Sequence, residues 1–479
     1  MKNPTLLLSL LLVAGVAYAT ENIAPTTGAN DEKAPAAAAQ SKKPAMKIHY
    51  FTTEVVSTNV DKKEITIKSD TRDILSHATI QAEALEDYFL VDMDAHVTET
   101  QFWPEIINLI DNDVIKQMGQ AMMMRPGPST ALLNQMPGLM FQNVYGRIPH
   151  QLTLAEPVDG AECHHFTELM RRAMDSMGLD YQVVFPTPML VLGMHPQDDI
   201  EVAVGRAYDR WLVERILPED ERIKGLLYLP FNTPKACLDI VRDFGSAPGV
   251  IGFTVCATRN KPVHHDSYMK LYAMIEETGK PLTFHSGYHW GDPSFAQLNR
   301  FISMHSISFV HYSLIHVANW VINGLPERFP GLKIVWVESG LAWIPFIMQR
   351  LDHEFMMRVC EAPALKRPPS EYIREMYFTS QPLEKTNMKL LQATFEAINA
   401  ETQLLYASDW PHWDFDPPTA ITTIPFLSEQ AKRNILGLNA ARVFNLEVKR
   451  TRPKARDVLA GRQEAAERPE VLRQTGDRV

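Results

Sequence analysis

Between residues 88 and 409 one pattern recurs eight times: a short run rich in β-branched and aromatic residues, then a longer stretch with helical spacing. The runs are Tyr88 to His96, Tyr181 to Phe185, Ile223 to Leu229, Val250 to Cys256, Pro281 to His285, Leu332 to Glu338, Met376 to Ser380 and Gln403 to Asp409. Near-continuous apolar strands need cover on their outer face, and a helix after each strand supplies it in a parallel sheet. Eight such units close into a (β/α)8 TIM barrel of the α/β class. The interval from Val97 to Leu179 is far longer than one crossover helix requires, so it reads as an insertion after the first strand, over the mouth of the barrel.

The remaining chain divides around this barrel. Met1 and Lys2 precede an apolar run, Leu6 to Ala17, that ends in Ala17-Tyr18-Ala19, the pattern of a signal peptide over residues 1–19. The run is shorter than the roughly 20 residues a membrane span needs. The expectation is an exported protein, periplasmic or secreted, with no integral membrane segment after cleavage. Residues 20–47 read as a flexible leader poor in large apolar side chains, and residues 48–87 as a small N-terminal β segment holding a short hairpin turned at Asn59 to Lys62. The barrel is assigned to 88–448 and a charged tail to 449–479.

Charge narrows the partners. The chain carries a net charge of -10; its last 31 residues hold +4, so the remainder is near -14. A phosphate backbone calls for the opposite balance, and no nucleic-acid partner is expected. The cysteines Cys163, Cys237, Cys256 and Cys360 lie too far apart for a thiolate metal motif.

In such barrels chemistry sits at the C-terminal ends of the strands. Here those ends are polar: Asp92-Met93-Asp94-Ala95-His96 on the first strand, His285 on the fifth, Glu338 on the sixth, Asp409 on the eighth. Strand periodicity sends Asp92, Asp94 and His96 to one side, and Met93 and Ala95 to the other. Asp94, His96, His285 and Asp409 together form a candidate site for one divalent ion, with zinc the first choice and manganese the second. Such an ion lowers the pKa of a bound water toward about 7. Asp409 and Glu338 are the candidate acid and base; Glu338 reads equally as an acceptor that orients a ligand histidine.

At these residues the chain resembles the amidohydrolase superfamily, in particular the branch containing aminocarboxymuconate-semialdehyde decarboxylase and resorcylate-type decarboxylases. The resemblance runs from about Leu90 to Asn445. It rests on Val91-Asp92-Met93-Asp94-Ala95-His96, Thr283-Phe284-His285, Glu327-Arg328-Phe329-Pro330-Gly331-Leu332-Lys333-Ile334 and Ser408-Asp409-Trp410-Pro411-His412-Trp413-Asp414. It implies that Asp94, His96, His285 and Asp409 stand at the family's metal positions. The first-strand pair is Asp-x-His where the decarboxylase prototype has His-x-His. Glu338 stands where that prototype has a catalytic histidine.

That second departure moves the expected reaction to hydrolysis of a carboxylated, ring-containing small molecule, an amide, lactone or activated carbon–carbon bond. Nonoxidative decarboxylation of an aromatic or unsaturated acid is the runner-up, and an inactive metal-binding barrel the third reading. Trp410 and Arg147 are the expected substrate contacts, an aromatic wall and a carboxylate clamp. Trp413, Trp290 and Tyr288 are further aromatic residues near the expected mouth. His412 is expected to support a ligand from behind. A homodimer is compatible with this architecture.

Overall fold

A computed structural model describes residues 54–59, 64–68, 85–123, 162–256, 261–285, 287, 292–295, 297–412 and 414–454. The signal and leader assignments, Arg147, Tyr288, Trp290, Trp413 and the tail beyond Lys454 lie outside the described residues.

The expected hairpin is present. Strands β1 (Glu54–Asn59) and β2 (Glu64–Lys68) pair antiparallel.

The eight expected barrel strands are all found: β3 (Val91–Val97), β4 (Tyr181–Pro186), β5 (Ile223–Tyr228), β6 (Val250–Cys256), β7 (Leu282–His285), β8 (Ile334–Val337), β9 (Tyr377–Thr379) and β10 (Leu404–Leu405). They form one parallel sheet in sequence order. The seam between β3 and β10 is closed by backbone bonds: Met93 N donates to Tyr406 O at 2.9 Å, Asp409 N to Asp94 O at 2.8 Å and His96 N to Trp410 O at 2.7 Å.

Helices cover the outside. α1 (Trp103–Asn108), α2 (Asp113–Met123) and α3 (His165–Met177) lie between β3 and β4, in the long interval read as an insertion. The other crossovers are α4 (Asp198–Trp211), α5 (Pro234–Phe244), α6 (Met269–Thr278), α7 (Phe301–Ile322), α8 (Trp343–Met357) and α9 (Met388–Ala397). α3 stops at Gly178 and α6 at Gly279, both left-handed, where a glycine carries no Cβ penalty. No helix of the described residues is long and apolar enough to cross a membrane.

Strand alternation produces two cores. Val184, Leu227, Phe253, Phe284 and Trp336 face the helices. Val183, Leu226, Val335, Val337 and Leu405 pack inside the barrel with Ala440, Val443 and Phe444 of α10 (Asn439–Phe444). That inner plug fills one end of the barrel and leaves the opposite, C-terminal end to polar side chains.

The first residues of the tail are structured rather than solvated. Thr451 N donates to Asp180 Oδ1 at 3.1 Å, and Arg452 Nη2 donates to the carbonyls of Leu85 at 2.8 Å and Tyr88 at 2.9 Å. Asp180 is fully buried and its Oδ2 accepts from Leu90 N at 2.9 Å. This clasp binds residues 451–452 to the strand entrances.

Candidate metal centre

Strand β3 does not alternate regularly. Its register with β4 shifts between Asp92 and Ala95, and Asp94 N donates to Asp92 Oδ1 at 3.2 Å. A bulge of this kind re-aims the side chains beyond it. Val91 and Met93 therefore belong to the inner plug, while Asp94 and His96 still reach the site. Asp92 does not join them, which corrects the period-two reading. Its carboxylate accepts from Gln182 Nε2 at 2.9 Å, Ser408 N at 2.8 Å and Ser408 Oγ at 2.6 Å, and it pins the start of the eighth-strand loop.

The other two carboxylates are turned by their own backbones. Glu338 follows β8 at φ +53°, and Asp409 follows β10 at φ +62°. Non-glycine residues in this region cost about 1–3 kcal/mol each and persist where the surroundings over-determine them. Glu338 N donates to Thr379 Oγ1 at 3.1 Å, and Asp409 N is the seam bond to Asp94 O.

These devices bring five predicted residues to one point. His96 Nε2 lies 3.3 Å from Asp94 Oδ1, 3.2 Å from Asp409 Oδ1 and 3.2 Å from His285 Nε2. His285 Nε2 lies 3.3 Å from Asp94 Oδ1 and 3.3 Å from Glu338 Oε2. His412 joins from behind, with Nδ1 2.6 Å from Asp409 Oδ1. Donor atoms of Asp94, His96, His285 and Glu338 all lie within 4.8 Å of one another, as do those of His96, Glu338, Asp409 and His412. Glu338 thus stands among the potential ligands as well as being a candidate acid or base.

Asp94 Oδ2 and Asp409 Oδ1 are buried and accept no aligned hydrogen bond from the described residues. Buried carboxylate oxygens in that condition are costly unless a cation meets them. His96 Nδ1 donates to Pro186 O at 3.0 Å, which leaves Nε2 facing the cluster as a lone pair when the ring is neutral. Carboxylates and imidazoles at these separations fit a divalent ion.

Protonation follows from burial and charge. Burial pushes His96 down, but the carboxylates of Asp94 and Asp409 outweigh it and raise the imidazole to about 10. Burial pushes Asp94 up, and the imidazoles of His285 and His96 outweigh that and hold it at about 2. Burial dominates at Asp409 and raises it well above the usual carboxylate range despite His96.

Trp410, expected against the substrate, is fully buried in the core between strands and helices, and its carbonyl closes the barrel seam. Three groups at the site are absent from the sequence reading. Gln381, just after β9, donates from Nε2 to Asp409 Oδ2 at 3.3 Å. Thr187 places Oγ1 3.2 Å from His412 Nε2. Glu99 accepts from the backbone N–H groups of Thr187 at 2.9 Å and Met189 at 2.6 Å, and burial raises its carboxyl to about 7. Gln381, just past β9, and Thr187, directly after β4, are both open to the strand-end rule, but nothing in the local sequence marks the partner of either.

The family model described as Amidohydrolase matches residues 91–446. The chain belongs to the amidohydrolase family. Curated relatives of this amidohydrolase include gamma-resorcylate decarboxylase from Rhodococcus jostii (strain RHA1), 23% identical over 264 residues covering 53% of this chain and 79% of that protein. Another is 2-amino-3-carboxymuconate-6-semialdehyde decarboxylase from Dictyostelium discoideum, 22% identical over 275 residues, 56% of this chain and 74% of that protein. Among solved structures, 5-carboxyvanillate decarboxylase from Sphingomonas paucimobilis aligns with TM-score 0.55 and 22% identity over 75% of this chain and 100% of that one. Dihydroxybenzoic acid decarboxylase from Polaromonas sp. JS666, with bound manganese and 2-nitroresorcinol, aligns with TM-score 0.52 and 16% identity over 75% and 97%.

These relatives overturn hydrolysis as the expected reaction of this amidohydrolase. The expectation of hydrolysis rests on Glu338 standing where the decarboxylase prototype has a catalytic histidine. The geometry removes the force of that departure, because Asp409 and His412 form a second carboxylate–imidazole pair 2.6 Å apart beside the same cluster.

Proposed function

We propose that this protein is a divalent-metal-dependent, nonoxidative decarboxylase of an aromatic acid of the hydroxybenzoate class. The observation that carries the reading is the buried set Asp94, His96, His285, Glu338 and Asp409, in which Asp94 Oδ2 and Asp409 Oδ1 accept no aligned hydrogen bond from the described residues, in a chain whose curated relatives are decarboxylases. Manganese is the proposed ion. Three carboxylates against two imidazoles favour a harder ion than a thiolate or all-histidine site does, and manganese is bound in related structures. Zinc is the alternative.

The reaction exchanges a carboxylate for a proton: the bond from ring carbon to carboxyl carbon breaks, its electron pair stays on the ring, and carbon dioxide leaves. Neither an oxidant nor water is consumed. Asp94, His96, His285 and Glu338 would hold the ion with Asp409 Oδ1 at its edge, and when bound it would supply positive charge to orient the acid and stabilise charge developing on the ring. Asp409 is the assigned proton carrier. Its Oδ1 sits between His96 and His412, Gln381 fixes its Oδ2, and burial favours its protonated form. His412 Nδ1 is placed to return the proton after each turnover.

The test is direct. Protein reconstituted with Mn2+ and incubated with hydroxybenzoates in D2O is expected to release carbon dioxide and leave deuterium on the vacated ring carbon. Cleavage of amides or lactones with no carbon dioxide release from any aromatic acid would overturn the proposal. Export is part of the same proposal on the strength of residues 1–19, and sequencing the mature N-terminus decides it.

A further inference from the structure

The centre reaches outward from His412 to two groups, Thr187 and Glu99, that the proposed chemistry does not use. His412 stacks on His96 with ring centroids 4.2 Å apart and planes 27° apart. A stacked ring is held against tilting but can still turn within its own plane, and such a turn would carry Nδ1 away from Asp409. The group that stops it is Thr187, whose Oγ1 lies 3.2 Å from Nε2, the nitrogen on the far side of the ring. Thr187 is itself buried, and its backbone N–H is held by the Glu99 carboxylate at 2.9 Å. Contacts therefore run from Glu99 through Thr187 and His412 to Asp409, spanning the ends of β3, β4 and β10.

We propose that Thr187 is a positioning residue for the metal centre: its hydroxyl fixes the in-plane orientation of the His412 ring, and that ring fixes Asp409. The inference rests on the metal reading given above. A hydroxyl donating to Nε2 keeps the ring proton on Nδ1, whose 2.6 Å contact with Asp409 Oδ1 is electrostatic and not an aligned hydrogen bond. With both the ring angle and the proton position set, Asp409 Oδ1 is confined to the face of the cluster it shares with His96 Nε2, 3.2 Å away. Without the hydroxyl, Asp409 would have to be ordered each time an ion binds, and outer contacts of this kind typically change metal affinity by about 10–100-fold.

The experiment compares wild type with Thr187→Val, which keeps the branched shape, Thr187→Ser, which keeps the hydroxyl, and Thr187→Ala, which removes it without a new methyl in the wall. Mn2+ affinity is read by the free-ion electron paramagnetic resonance signal, and the melting temperature is read with chelator present. Val and Ala variants are expected to bind Mn2+ at least about tenfold more weakly, with the serine variant within about twofold of wild type. Melting temperatures in chelator should stay together, because a purely structural threonine would lower stability and leave affinity alone. Equal Mn2+ affinity in the wild-type, Val and Ala proteins overturns the proposal while the metal reading stands. Loss of affinity in the serine variant equal to that in valine overturns the role of the hydroxyl. If wild type binds neither Mn2+ nor Zn2+, the metal reading fails and takes this proposal with it.

Discussion

Nε2 of His96 and Nε2 of His285 face each other across 3.2 Å with their ring planes at 90°. Two imidazoles in this arrangement cannot both turn a proton inward without crowding, so the pair suits a cation held between lone pairs. Because Asp94 and Asp409 raise His96 to about 10, the ion-free ring is protonated at neutral pH. Binding an ion must expel that proton. Mn2+ affinity is therefore expected to rise with pH, by roughly tenfold per unit for each proton released between pH 6 and 8. A weakly buffered indicator titration measures the release; affinity independent of pH would contradict the assignment of His96 as a ligand.

Glu338→Gln preserves size and removes one charge 3.3 Å from His285 Nε2. If Glu338 holds the ion, Mn2+ affinity should drop by at least about tenfold, the lower bound typical even for outer contacts. Decarboxylation at limiting Mn2+ should drop with it and recover in part at saturating ion. Full loss of turnover with unchanged affinity would instead mark Glu338 as an acid or base alone.

A pH dependence of stability should come from Glu99. Burial raises its carboxyl from 4.5 to about 7, so the folded protein keeps this proton over a range where the unfolded chain has lost it. The stabilising contribution is present below the unfolded value and declines as pH rises, by about 1.4 kcal/mol per unit, or about 3 kcal/mol across the window. Urea denaturation with chelator present, from pH 4.5 to 7, should show this decline in wild type. Glu99→Gln, which cannot ionise, should make the decline shallower by the share of one proton, leaving the parallel declines from Asp92 and Asp409.

Arg452 offers a test away from the centre. Arg452→Ala removes bonds to two carbonyls and strips charge from beside Asp180, whose Oδ2 lies 3.9 Å from Arg452 Nη1. Uncovering a buried partner of this kind costs about 3–5 kcal/mol. Denaturation midpoints should fall accordingly while Mn2+ affinity stays at the wild-type value. A variant as stable as wild type would mean that the clasp contributes nothing.

The barrel was legible because each strand repeats the same demand for cover on its outer face, and Val250–Cys256 matches its expected run residue for residue. The final strand shrank to Leu404–Leu405 because the backbone beyond it closes the seam and meets Ile435 instead of continuing a regular ladder. Asp94, His96, His285, Glu338 and Asp409 were legible because polar residues at strand ends oppose the apolar pattern around them. Asp92 was misread because a bulge has no signature in a period-two pattern. Thr187 stayed hidden because its role depends on a ring 225 positions further along the chain, which no local spacing encodes.

The clasp at Arg452 has one more consequence. Since this side chain binds the carbonyls of Leu85 and Tyr88, the entry to the first βα unit and the exit from the last are neighbours in space. A circularly permuted chain, opened at the left-handed turn around Gly279 and joined across this contact by a short linker, should close the same ring and assemble the same cluster.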